Sequence, residues 1–304
     1  MRHPHGIPDT THGFEARTQL TGEPGGSQIM TDGQAFRYDG KRVVVVGGAT
    51  GMGAAATRTA AGLGAEVVVL DRAPVDYPVA QFLQVDLGDR KQIDATLDEL
   101  DGPVDALFSA AGMAAGPAVM RVNFIGHRHI IERMVAEKTL AAGSAICLIS
   151  SVAGLGWQNH LPTLVEFLAT PDFESADSWV SAHEGTNSYM FSKQVINAYV
   201  AREAYPLLSK GVRINAICPG PTDTPLAQAN SWLGFDKQYR EATGTTPLLA
   251  EQMGDVMVFL NSPAASGISG VSLLVDSGHV MASIGGSWEA GRPVIEFLMT
   301  QNAI

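Results

Sequence analysis

The chain has 304 residues, with 20 Lys and Arg against 31 Asp and Glu, a formal net charge of −11 and 45% hydrophobic residues. That balance excludes a surface built for nucleic acid or an anionic membrane and points to a small-molecule partner. Cys147 and Cys218 are too few for a disulfide framework, and no segment reads as a signal peptide or a membrane span, so a cytoplasmic protein with reduced thiols is expected.

Residues 1–38 are rich in Gly, Pro, Thr and His without an apolar period, which predicts a flexible N-terminal extension. His3, His5 and His12 there read as solvated side chains, no metal is expected, and Met30 is a second candidate start. From Lys41 onward, apolar runs at 42–46, 66–70, 82–85, 104–108, 145–149, 212–217 and 271–275 alternate with helix-length spacers. Such βα repeats predict an α/β fold, a doubly wound seven-stranded parallel sheet with helices on both faces, in one domain over 39–280. A segment at 155–187 is too long for a βα connection and carries Leu161, Leu164, Val165 and Leu168, then Phe173, Ala176, Trp179 and Val180, at helical spacing. It predicts an inserted helical pair ahead of the helix that carries Tyr189. Residues 221–246 predict a flap, and 281–304 a tail that covers either a neighbouring subunit's site or its own core.

After the first strand, Gly47, Gly51 and Gly53 permit a tight turn, so a pyrophosphate can rest on the amides that open the next helix. Asp71, at the end of the second strand, is placed to accept both adenosine ribose hydroxyls and to repel a 2′-phosphate, although Arg72 beside it offsets part of that repulsion. Asp86 is placed either to accept from an adenine amino group or to cap a helix. Tyr189 and Lys193 lie four apart and share one helix face. A phenol titrates near ~10, and a close ammonium would lower it toward working pH. His127 and His129 diverge on a helix, which argues against a shared metal.

The glycine turn, Asn123, Ser151, Tyr189-x-x-x-Lys193 and Pro219-Gly220, in this order, resemble the short-chain dehydrogenase/reductase family over residues 40–280. Within it, Ile149 to Ala153, the insertion, Pro219 to Leu226 and Ser262 to Ser266 resemble the bacterial 3α-hydroxysteroid dehydrogenase/carbonyl reductase branch. The resemblance implies a Rossmann-type sheet, NAD as cofactor, and Asn123, Ser151, Tyr189 and Lys193 as the catalytic set. Tyr189 would exchange a proton with the substrate oxygen, Ser151 would donate to that oxygen, Lys193 would hold ribose hydroxyls, and Asn123 would hold a water leading to solvent. Ser150 is the weaker partner, because strand neighbours point to opposite faces. Cofactor contacts are implied for Gly47, Thr50, Gly51, Met52, Gly53, Asp71, Arg72, Asp86 and Leu87. They are implied too for Ala110, Ala111, Gly112, Tyr189, Lys193, Pro219, Gly220, Thr222 and Thr224.

Two positions depart from the family pattern: Val46 replaces a threonine, and Ser109 replaces the asparagine that opens the central motif, so the cofactor loop needs other polar support. Leu155, Trp157, Met190, Trp232 and Phe235 are expected to wall a cleft for a bulky apolar alcohol or ketone, such as a hydroxysteroid, terpenoid or aromatic alcohol. A homodimer or homotetramer is expected. The competing readings are a dinucleotide-sensing regulatory protein on the same fold and an epimerase or dehydratase with tightly bound NAD.

Overall fold

The computed structural model describes residues 33–230 and 232–300; His3, His5, His12 and Met30 lie outside the described residues. In chain order the elements begin β1 (Arg42–Val46), α1 (Gly51–Gly62), β2 (Glu66–Asp71), β3 (Gln81–Gln84), α2 (Arg90–Asp98) and β4 (Val104–Ser109). A π-helical turn (Arg121–Ile125) runs into α3 (Gly126–Ala136), then β5 (Leu140–Ile149), α4 (Leu161–Leu168), α5 (Phe173–Ala182) and α6 (Tyr189–Leu208). The chain continues with β6 (Arg213–Pro219), β7 (Thr222–Asp223), α7 (Pro225–Ala229), α8 (Lys237–Thr243), β8 (Leu248–Leu249) and α9 (Ala250–Asn261). It closes with β9 (Ser272–Val275), α10 (His279–Ile284) and α11 (Arg292–Thr300).

The main sheet has the order β3-β2-β1-β4-β5-β6-β9 and every pairing is parallel. Residue alternation divides the core between its faces. Val43 and Val45 pack with Ala56, Ala60, Met253 and Met257, whereas Val44 and Val46 face Phe124, Val195 and Tyr199. The strand order reverses between β1 and β4, and at that reversal the carboxyl ends of the strands leave a crevice. All seven expected strands occur. β5 starts earlier than its apolar run, at Leu140, beside a shift of register between Val104 and Ala106. The two-residue strands β7 and β8 pair with each other and are too short to carry a period.

The insertion folds as the expected pair, α4 and α5. Phe167 meets Phe124, Trp179 and Phe191 at ring distances of 5.7, 5.1 and 5.8 Å. Arg121 grips Asp177 bidentately at 2.6 and 2.9 Å, and the buried Arg128 donates to the carbonyls of Thr170 at 3.3 Å and Asp172 at 2.9 Å. Methionine at 128 would keep much of the volume and leave those acceptors unpaired, so Arg128→Met is expected to lower unfolding free energy by about 3 kcal/mol. Denaturant titration would show it as a lower midpoint at unchanged slope.

Packing reaches a few residues further toward the N-terminus than position 39. Tyr38 is buried and its hydroxyl donates to the Val258 carbonyl at 2.7 Å, while Phe36 stacks on Phe259. At the other end, Ile295 and Leu298 of α11 are buried against Val152 and Val280, and Asn159 Nδ2 donates to the Met299 carbonyl at 2.7 Å. Of the two roles left open for the tail, this structure realises closure of its own core. The 221–246 segment is held by Tyr239, whose hydroxyl donates to the Ser277 carbonyl and whose ring stacks on His279. Among the described residues no helix is long and apolar enough to cross a membrane.

Candidate active site

A groove of about 340 Å³ runs along the crevice from Asp71, Arg72 and Asp86, past Gly47 and Thr50, Gly51 and Met52, to Ala110, Ala111, Gly112, Tyr189 and Lys193. Its floor is possible only with glycine. Gly47 has φ +87°, and a Cβ there would lie 2.3 Å from the Ala111 nitrogen; a Cβ on Gly53 would lie 2.0 Å from the Gly47 oxygen. Thr50, the N-cap residue of α1, makes no side-chain cap, so the first amides of the helix are left to the groove. Asp71 Oδ2 accepts from Ala49 N at 2.9 Å and Oδ1 from Ala73 N at 2.9 Å, holding the carboxylate at the groove's end. Asp86 accepts from Gly88 N at 2.8 Å, while Asp89 caps α2, so the helix-cap reading of Asp86 gives way to a groove-lining one. An elongated groove with a carboxylate at one end, helix amides in the middle and a buried ammonium at the other fits a nicotinamide dinucleotide.

Tyr189 opens α6, which Ser188 caps by accepting from Phe191 N, and Lys193 follows one turn later. The Lys193 ammonium is buried, donates to the Ile149 carbonyl at 2.8 Å and lies 5.3 Å from the centre of the Tyr189 ring. Burial pushes Lys193 down to about 8 and Tyr189 up to about 12; the Ser151 hydroxyl pulls the phenol back only in part. Desolvation therefore dominates, the expected lowering of the phenol by Lys193 does not emerge, and Tyr189 is protonated at neutral pH. Ser150 turns away and donates to the Lys193 carbonyl at 2.9 Å, while Ser151 accepts from Ala153 N and faces the phenol, as strand alternation requires. Asn123 sits in the π turn; its Oδ1 accepts from Met113 N and its Nδ2 donates to the Met113 carbonyl and to Ser192 Oγ. That ties the turn to α6. His127, kept neutral by burial that pushes it down to about 4, donates from Nε2 to the Ala111 carbonyl, while His129 pairs with Asp94.

A second cavity, of about 370 Å³, shares Tyr189, Met52, Thr224 and Leu226 with the groove. Its walls include Val152, Met190, Trp232, Phe235 and Leu298, and the Trp232 ring lies 4.8 Å from that of Tyr189. Pro219, Gly220 and Thr222 border this cavity rather than the groove; Thr224 borders both. Leu155 and Trp157 do not line it. Leu155 packs with the Val280 and Ile295 cluster, and Trp157 packs on the main core. Leu298 was not expected here, because its place depends on α11 folding back over Val152, which no local period announces.

Residues 41–163 match the family model described as short chain dehydrogenase, and residues 175–279 match the one described as enoyl-(acyl carrier protein) reductase. The chain is 27% identical to a coniferyl-alcohol dehydrogenase of Pseudomonas sp. (strain HR199 / DSM 7063), covering 78% of this chain and 96% of that protein. It is 28% identical to a 3-alpha-hydroxysteroid dehydrogenase/carbonyl reductase of Comamonas testosteroni, covering 78% and 95%. Among solved structures, the 3-alpha-hydroxysteroid dehydrogenase of Pseudomonas sp. B-0831, complexed with NADH, superposes with a TM-score of 0.63 at 25% identity, covering 81% of this chain and 99% of that one. With its Rossmann-type sheet, this chain belongs to the short-chain dehydrogenase/reductase family and is an NAD(P)-dependent oxidoreductase acting on alcohol or carbonyl groups.

Proposed function

We propose that this enzyme interconverts a bulky apolar secondary alcohol and its ketone, or an alcohol and its aldehyde, with NAD as cofactor. The observation that carries the reading is the apolar cavity opening onto the Tyr189 hydroxyl, with Trp232 over the ring. Two relatives act, by their names, on a hydroxysteroid and on coniferyl alcohol, both of which present a bulky carbon skeleton. NAD is favoured by Asp71, whose carboxylate would accept the ribose hydroxyls and repel a 2′-phosphate. When bound in the groove, the dinucleotide would supply or take up the hydride. Tyr189 gives its proton to the substrate oxygen during reduction and recovers it during oxidation, and Ser151 donates to the same oxygen as charge builds on it. Lys193 would present its ammonium to the nicotinamide ribose, and Asn123 ties the π turn to α6 through Met113 and Ser192. Residues 39–280 carry the dehydrogenase machinery, with Phe36, Tyr38 and α11 packed onto it and 155–187 its inserted helical segment, and a homodimer or homotetramer in the cytoplasm is the assembly that goes with this reading.

A panel of hydroxysteroids, terpenoid alcohols and aromatic alcohols, each offered with NAD and NADP and followed by absorbance of the reduced cofactor, tests the proposal. Turnover is expected with NAD and members of this panel; turnover confined to small polar alcohols would sink the substrate class. The profile against pH has a sign. Lys193 is depressed from its ordinary 10.5 to about 8, so its ammonium is present below that value and lost as pH rises through it. Reduction also consumes a proton from Tyr189. The kcat/KM for reduction, which reports the free enzyme, is therefore expected to fall above about pH 8.

A further inference from the structure

With Val46 and Ser109 in place of polar supports, the dinucleotide loop is held another way. The amides of Ala110 and Ala111 both donate to the Val46 carbonyl, at 2.8 and 2.9 Å, and the Ser109 hydroxyl is buried without a partner. The Gly47 amide donates to the Leu70 carbonyl at 2.8 Å and the Thr57 hydroxyl to the Gly53 carbonyl at 2.9 Å; between the first two glycines, the turn is gripped at the Gly48–Ala49 peptide. Its N–H donates to Asp71 Oδ2 at 2.9 Å, and its carbonyl accepts from the hydroxyl of Tyr77. Gly48 has no side chain with which to hold itself, and a Cβ there would lie 2.7 Å from Val69 Cγ1.

Tyr77 comes from the segment between β2 and β3 and stands outside the groove. The Arg58 guanidinium covers its ring at 4.3 Å from the centroid, and burial raises its phenol above the ordinary value, so at neutral pH the hydroxyl is a donor. A trans peptide points its N–H and C=O in opposite directions, so holding both ends stops it from rotating. Releasing the carbonyl frees the peptide to turn, and Asp71 then loses the amide that orients one of its oxygens.

We propose that Tyr77 is a positioning residue for the dinucleotide: by pinning the Gly48–Ala49 peptide it sets the glycine turn and the Asp71 carboxylate for the adenosine end. The inference rests on the dinucleotide reading of the groove and adds a residue that does not itself touch the ligand.

Calorimetric titration of the full chain and of Tyr77→Phe with ADP-ribose, NAD and NADP tests it. Loss of the hydroxyl is expected to weaken whichever of these ligands binds by roughly tenfold. At saturating dinucleotide kcat is expected to stay within about twofold, with the loss appearing in the cofactor KM. Affinity for each ligand unchanged by the substitution overturns the role of Tyr77, as does an equal loss in kcat and affinity or a loss that tracks a lowered melting temperature. The preference of the unmutated chain for NAD over NADP is read in the same titrations and judges the cofactor proposal separately. A chain preferring NADP would end that proposal while the ratio between Tyr77→Phe and the parent still judged the hydroxyl.

Discussion

Tyr189→Phe is expected to cut kcat by roughly 10²–10⁴-fold, the range over which a positioned acid or base acts, while leaving dinucleotide affinity within about twofold. The substitution removes one oxygen and keeps the ring against Trp232, so cavity shape and the start of α6 are retained. What is lost is the proton that a reduced carbonyl must receive. The phenol carries that proton throughout the neutral range, because desolvation holds it up at about 12. In the oxidative direction the same elevation makes Tyr189 hard to deprotonate, and the Ser151 hydroxyl pulls the phenol only part of the way back. Single-turnover reduction, with cofactor binding measured in parallel, is the decisive measurement. Unchanged hydride transfer in the phenylalanine variant would remove Tyr189 from the chemistry, whereas a loss of cofactor binding alone would assign it to the groove.

Asp71→Asn is expected to move the ratio of kcat/KM for NAD over NADP toward NADP by on the order of 10- to 100-fold, the effect of removing about 1.4–3 kcal/mol of like-charge repulsion. Asparagine keeps a carbonyl oxygen to accept from Ala49 N or Ala73 N, so the backbone around the groove stays supported. The charge goes, and with it one of the two accepting oxygens, since an amide nitrogen cannot accept. Arg72, exposed and lining the same end, is then free to meet a 2′-phosphate without the opposing carboxylate beside it. Initial rates with both cofactors on one substrate would measure the shift. An unaltered ratio would mean that the carboxylate serves the fold and not the choice of cofactor.

Much of this enzyme is legible in local pattern. β1 followed by Gly47, Gly51 and Gly53 and an alanine-rich helix can be recognised because strand period, turn and helix are each short-range properties. The four-residue step from Tyr189 to Lys193 places both on one helix face, and the alternation of β5, carried past its end in extended backbone, turns Ser150 away from the face of Ser151. The insertion was readable for the same reason, since Leu164, Leu168, Phe173 and Val180 repeat at the helical period and are buried in the structure. Leu155 and Trp157 were misassigned to the cavity wall because apolarity predicts burial without saying against which partner.

From its residues alone, then, the chain determined its parallel α/β sheet, the glycine-lined turn, the acidic end of the second strand and the shared helix face of Tyr189 and Lys193, which follow from periods of two and 3.6 and from the chemistry of single side chains, while Asn123 and Ser151 came from the family resemblance. The tertiary structure decided that burial sets the Tyr189 phenol, that α11 returns to put Leu298 in the cavity wall, and that Tyr77 reaches Gly48. Each of these depends on desolvation or on contacts between segments distant in the chain, and such quantities exist only once the surrounding atoms have been packed.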